Sequence, residues 1–291
     1  MFFIRNNQLI VSVLDPVSDR FRLGSRYCTG GYIWQIRDLS KGDLLSGPLY
    51  PDPVPSRFDG QGAPEVFETA LGAENASVGE QVLVIGVGTV LRSSPVEPFH
   101  VRDNPDVVEF CSWRTKINDF SVVMDSDQEF SKRSGETLNE YRLHLQRTVS
   151  LQDRQVCSAS TLKNTGICKF RVRWFAHPFF PLNSDLSCCS FSTPVSVPEN
   201  PGFYLTEGKI LKRHSEHNWE KGCYQPLGIK SGEPLKITQF HPLSGSVEVN
   251  CNFPLAWMPV WGNSRTFSFE PYFDTDLSPG ESLSWQISYG F

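Results

Sequence analysis

Apolar residues in this chain alternate with polar ones in short runs, and each run is closed by Gly, Pro, Asn or Ser. Alternation places successive side chains on opposite faces of a strand, whereas a helix would need an apolar residue every three or four positions. No helical period is sustained over three turns anywhere. The runs at residues 8–14, 32–36, 82–85, 107–110, 120–124, 141–149, 203–205, 246–249 and 282–289 belong to a pattern of roughly fourteen or more strands. They predict an all-β chain built as two large stacked antiparallel sheets. No internal repeat and no sharp shift in composition marks a linker, so residues 1–291 are expected to form one domain.

The 21 Phe, 8 Tyr and 7 Trp supply a large core. A net charge of −5 without a basic cluster argues against a nucleic-acid surface, which needs concentrated Lys and Arg. A small neutral or polyol ligand fits better. No basic segment leads into a long apolar run at the start, and no apolar stretch is long enough to span a bilayer. The expectation is a cytoplasmic protein without membrane attachment, a monomer or weak homodimer. The eight cysteines form no CxxC pair and read as buried or idle thiols. Cys188 and Cys189 would point to opposite faces of a strand, which disfavours a bridge between them.

Three segments invite a chemical reading and yield little alone. Gly86-Val-Gly88 lacks the third glycine of a dinucleotide fingerprint, and β-branched Thr89 and Val90 sit where its helix would begin. His214 and His217 have H-x-x-H spacing but no third ligand and no helix, so no metal is expected. The Pro- and Gly-rich tract 49–68 carries Arg57, Asp59, Glu65 and Glu68 and reads as a long ordered loop of the kind that lines sites.

Two strand ends are more informative. Thr266, Ser268 and Glu270 share one face while Phe267 and Phe269 take the other, and Pro271 closes the ladder. Glu270 is therefore expected on the wetter side. Arg171, Arg173, Phe175 and His177 share a face against Val172, Trp174 and Ala176, and Pro178 follows. A carboxylate and an imidazole at strand ends on polar faces are what a general acid/base pair requires. Taken singly, such a Glu is ordinarily solvated and such a His ordinarily structural.

Several of these segments together resemble the aldose 1-epimerase, or galactose mutarotase-like, superfamily. They are Gly79-Glu-Gln-Val-Leu-Val-Ile-Gly-Val-Gly-Thr-Val-Leu-Arg92, Leu162-Lys-Asn-Thr-Gly166, Phe175-Ala-His177-Pro-Phe-Phe180, Arg265-Thr-Phe-Ser-Phe-Glu270-Pro271 and Ser278-Pro-Gly-Glu281, in that order. The resemblance implies a β-supersandwich with a concave sugar cleft. It implies interconversion of the anomers of a hexose or hexose phosphate by ring opening, without cofactor or metal. On that reading Glu270 is the base and His177 the acid, on opposite sides of one sugar ring. Arg57 corresponds best to a family arginine that binds sugar hydroxyls. Arg173, Glu68 and Trp257 are further candidates for substrate binding, with Trp261 as a second stacking wall. A second histidine and an aspartate of the family lack clear counterparts, because His100 and His144 lie in unsupportive contexts.

A non-catalytic carbohydrate-binding or interaction module on the same fold would use the same aromatic and polar cleft, but has no need for the His177/Glu270 pair. A glycosidase would need two carboxylates about 5–9.5 Å apart. Here Glu270 has only Glu65 and Glu68 as remote partners, which ranks that reading last.

Overall fold

The computed structural model describes residues 1–134, 137–230 and 232–291. Strands hold 51% of the chain and helix 3%; among the described residues the helical elements are three-residue 3-10 turns. The largest sheet has ten strands and begins with a consecutive antiparallel series, Arg114–Asn118, Ser121–Ser134, Thr137–Gln152 and Gln155–Asn164. It continues through Ser282–Gly290, Gly245–Cys251 and Leu235–His241. Facing it are a five-stranded sheet centred on Thr266–Phe269 and Met258–Gly262, and a three-stranded sheet of Tyr272–Leu277, Phe170–Ala176 and Glu65–Phe67. The expected stacked, antiparallel, all-β architecture is what the chain adopts.

Alternation is visible strand by strand. Val122 and Met124, then Leu143, Leu145 and Val149, then Val156 and Leu162 are buried, while their neighbours along each strand are less so. One apolar cluster runs from Ile4 to Tyr289, with Trp174 and Trp285 at 5.6 Å between ring centroids and Phe253 edge-on to Trp174 at 5.3 Å. Two strands are far longer than their apolar runs. Polar side chains pair across the ladder where the apolar signal stops, as in Arg114 to Asp127 at 2.8 Å and His144 to Asp127 at 2.8 Å. Gly86, at a φ of 74°, turns a hairpin between Gln81–Val84 and Gly88–Leu91. A left-handed backbone in a tight turn is the reason for glycine there. All eight cysteines are free, and Cys28, Cys188, Cys189 and Cys251 are buried.

The buried interior also holds a polar cluster. Arg147 and Glu65, 1% and 3% exposed at their side chains, pair at 2.5 Å between the ten-stranded and three-stranded sheets. Glu65 also accepts hydrogen bonds from Ser158 Oγ at 2.5 Å and Trp174 Nε1 at 3.0 Å. Arg147 donates to Ser158 Oγ at 2.9 Å and to Ser160 Oγ. Each charge is thereby surrounded by partners, which a buried pair must have to offset desolvation. Removing one partner strands the other. Arg147→Met should lower stability by about 3–5 kcal/mol, read from the urea midpoint, and the double variant Arg147→Met/Glu65→Gln should recover part of the loss.

Candidate active site

The short strand Glu65–Phe67 decides what lies on the other face of its sheet. Glu65 and Phe67 point into the core, so Val66 and Glu68 point away from it, into a cavity of about 560 Å³. On the neighbouring strand Phe170–Ala176, Trp174 and Ala176 face the core, while Phe175 and then His177 face the cavity. The His177 amide donates to Pro64 O at 2.9 Å and the Cys28 amide to Glu65 O at 2.8 Å, which brings residues 26–28 alongside. Glu270 follows Thr266–Phe269, and its own amide donates to Pro259 O at 2.9 Å.

His177 and Glu270 meet at the cavity floor, with Nε2 and Oε1 3.5 Å apart. They are in contact, not separated by the width of a sugar ring. His177 Nδ1 lies 2.7 Å from Ser268 Oγ, which orients the imidazole. Phe179 lies 4.4 Å from the imidazole centroid, and Trp261 stands edge-on at 6.3 Å. The polar face of 266–270 is consequently not wetted: Thr266 and Ser268 are fully buried and Glu270 is 5% exposed. Alternation identified the face correctly, but a second layer of side chains covers it.

That cover sets the electrostatics. Burial pushes the His177 imidazole well below its ordinary range, and the positive charge of Arg26 adds to the shift. Burial pushes the Glu270 carboxyl up to about 7, opposed by Arg26 and reinforced by the negative charge of Glu68. Both groups favour their uncharged forms, since an apolar wall solvates neither ion. The neutral imidazole and protonated carboxyl together carry one transferable proton.

The other candidate residues divide. Glu68 lines the cavity, and Tyr272 Oη donates to it at 3.5 Å. Arg173 and Trp257 stand one layer back: Arg173 reaches Glu68 at 3.4 Å and lies 4.9 Å above the Trp257 ring. Trp257 stacks on Tyr272 at 4.0 Å, and Tyr272 on Phe175 at 4.4 Å. Arg57 lies apart from this cavity, its Nε donating to Phe21 O at 3.0 Å. Arg26 and Arg102 line the cavity instead, Arg26 packed over Phe58 at 4.4 Å. His100 also lines it, in spite of its unpromising sequence context, while His144 sits on the ten-stranded sheet with Asp127. Glu65, a remote carboxylate candidate in the glycosidase reading, is spent on Arg147. His214 and His217 make separate contacts, with Tyr204 at 4.6 Å and Gly222 O at 3.2 Å.

No protein-family model and no curated sequence matches this chain significantly. Its fold, however, is that of solved galactose mutarotase-like proteins. A galactose mutarotase-like protein from Lactobacillus casei ATCC 334 superposes with a TM-score of 0.57 at 14% identity, over 100% of this chain and 99% of that one. A protein of Escherichia coli K12 proposed to be an aldose 1-epimerase gives 0.55 at 14% identity, over 99% and 97%. A galactose mutarotase-like protein from Clostridium acetobutylicum gives 0.52 at 10% identity, over 99% and 93%. At such identities the likeness is one of architecture.

The raised pKa of Glu270 makes folding stability depend on pH. Its folded value of about 7 exceeds the ordinary 4.5, so its stabilising contribution is complete below the unfolded value and is lost as pH rises through the folded one. His177, shifted the opposite way, loses its contribution as pH falls. The Glu270 effect is isolated by comparison with Glu270→Gln. Between pH 4.5 and just above 7, that variant should gain about 3 kcal/mol relative to the parent, measured by urea denaturation across the range.

Proposed function

We propose that the cavity binds one sugar ring by its anomeric edge and interconverts the anomers of a hexose or hexose phosphate by acid/base ring opening. The observation that carries this reading is the buried His177–Glu270 pair, a carboxyl and an imidazole 3.5 Å apart at the cavity floor, with burial raising the carboxyl to about 7 and lowering the imidazole. The hydroxyl oxygen on C1 and the ring oxygen are bonded to the same carbon. Two groups side by side can therefore address both from one edge of the ring.

Burial leaves the resting proton on Glu270. Its carboxyl donates to the ring oxygen as the bond from that oxygen to C1 breaks, and His177 takes the proton of the C1 hydroxyl as the aldehyde forms. The pair is then a carboxylate and an imidazolium; in this direction Glu270 is the acid and His177 the base, the reverse of the roles that the family resemblance implies, because burial favours the protonated carboxyl and the neutral imidazole. Rotation about C1–C2 exposes the other face of the aldehyde. Closure returns both protons: the imidazolium gives one to the carbonyl oxygen and the carboxylate takes one from the ring hydroxyl. No net proton is consumed. Arg26, Glu68 and Tyr224 line the same cavity as candidate partners for the remaining hydroxyls.

A carbohydrate-binding module is the second reading, favoured by the same aromatic walls. Substitution separates the two. Glu270→Gln and His177→Gln should each slow anomer interconversion by about 10²–10⁴ in polarimetry or one-dimensional NMR on freshly dissolved α-anomers, with folding retained. Equal rates in both variants and the parent would leave binding alone.

The pH profile provides a further check. Because the active pair carries one proton, kcat/KM should fall as pH rises through about 7, where Glu270 loses it. It should fall again in acid, where His177 gains a second. A rate that climbs through neutrality would assign the active state to the ionised carboxylate.

A further inference from the structure

Glu68 and His100 stand at the border of the first cavity. These two side chains also line a second cavity of about 470 Å³, together with Thr69, Phe99, Arg171 and Arg173. Each space lies in the range of about 300–1,000 Å³ that accommodates a drug-sized ligand, which is more than one pyranose occupies. The adjoining space is furnished with fixed donors. Arg171 holds Asp274 with two hydrogen bonds, at 2.6 and 2.7 Å, and Arg173 reaches the same carboxylate at 3.1 Å and Glu68 at 3.4 Å. Their positive charges are thereby already matched, while the planar guanidiniums keep further N–H groups and stay in place without a ligand. Donors held in advance lower the ordering cost of binding, and matched charge favours hydroxyls over anions.

We infer that the second cavity is a subsite for a neutral glycosyl unit attached to the non-reducing side of the sugar in the first, so that the preferred ligand is a reducing disaccharide or longer oligosaccharide. The inference rests on the anomer-converting reading for orientation alone. With C1 on His177 and Glu270, the far side of the ring points away from the floor, and a glycosidic substituent there can pass Glu68 and His100 into the second space. Phe99 offers an apolar face for that unit, and Arg171 and Arg173 offer donors to its hydroxyls.

The test compares glucose and galactose with maltose, lactose and isomaltose, reading anomer interconversion by NMR and binding by titration calorimetry. At least one disaccharide should exceed its own reducing-end monosaccharide in kcat/KM, or in affinity, by about tenfold. Thr69→Tyr, which fills the second cavity, and Phe99→Ala, which removes its wall, should each abolish that advantage and leave the monosaccharide values unchanged. Either variant suffices if the other fails to fold. Preferential binding of a disaccharide without turnover would retain the subsite and remove the enzymatic reading. Disaccharides no better than monosaccharides in both rate and affinity would overturn the subsite, whatever the monosaccharides do.

Discussion

The pairing of Glu65 with Arg147 fixes the register on which the site depends. Glu65–Phe67 is only three residues long, and a slip of one position would exchange its faces. Val66 would then meet the guanidinium, and Glu65 would enter the cavity. Such an error leaves Arg147 buried without a counter-charge, at a cost of about 3–5 kcal/mol, a sizeable fraction of the net stability of most domains. A purely apolar contact at this point would discriminate far less between the two registers. The same short strand carries Glu68 at its end, and the Pro64 carbonyl beside it receives the His177 amide. An interaction on the core side thus determines which groups appear on the cavity side.

The cavity is built by the reverse logic. Its floor pair lacks the dense set of partners around Glu65, and the rings of Phe179 and Trp261 stand close by. The Glu65 carboxyl is held by a guanidinium, a hydroxyl and an indole, while that of Glu270 is left to favour its proton. That contrast between two glutamates of similar exposure, 3% and 5%, comes from their neighbours. The stack of Trp257, Tyr272 and Phe175 then ties Arg173 to the cavity wall without a direct polar contact to the floor.

Much of this was legible in the sequence, for identifiable reasons. Period-two alternation and the prolines at 178 and 271 marked His177 and Glu270 as strand-end residues on a definite face. The all-β architecture followed from the same alternation. Sequence pattern tells which residues share a face but not what covers it, so Glu270 reads as exposed until the walls around it are seen. Arg26 and His100 carried no local signal, because backbone pairing between distant segments brings them to the cavity. Arg57 looked better placed because it lies in the loop that leads to Glu65, yet its side chain turns toward Phe21. The lengths of Ser121–Ser134 and Thr137–Gln152 were hidden where polar cross-strand pairs replace apolar ones.

The free cysteines give the molecule an internal clock. Burial holds the thiols of Cys28 and Cys188 up to about 12, and those of Cys189 and Cys251 are likewise raised. A thiol is a nucleophile only as thiolate, so in the closed molecule these four are nearly silent toward alkylating or oxidising reagents. They become reactive when the surrounding strands part. Cys28 lies beside the Glu65 strand, Cys188 and Cys189 on Ser187–Phe191, and Cys251 at the end of Gly245–Cys251. The three locations therefore report the opening of different parts of the sandwich, and their relative labelling rates resolve which strands separate first.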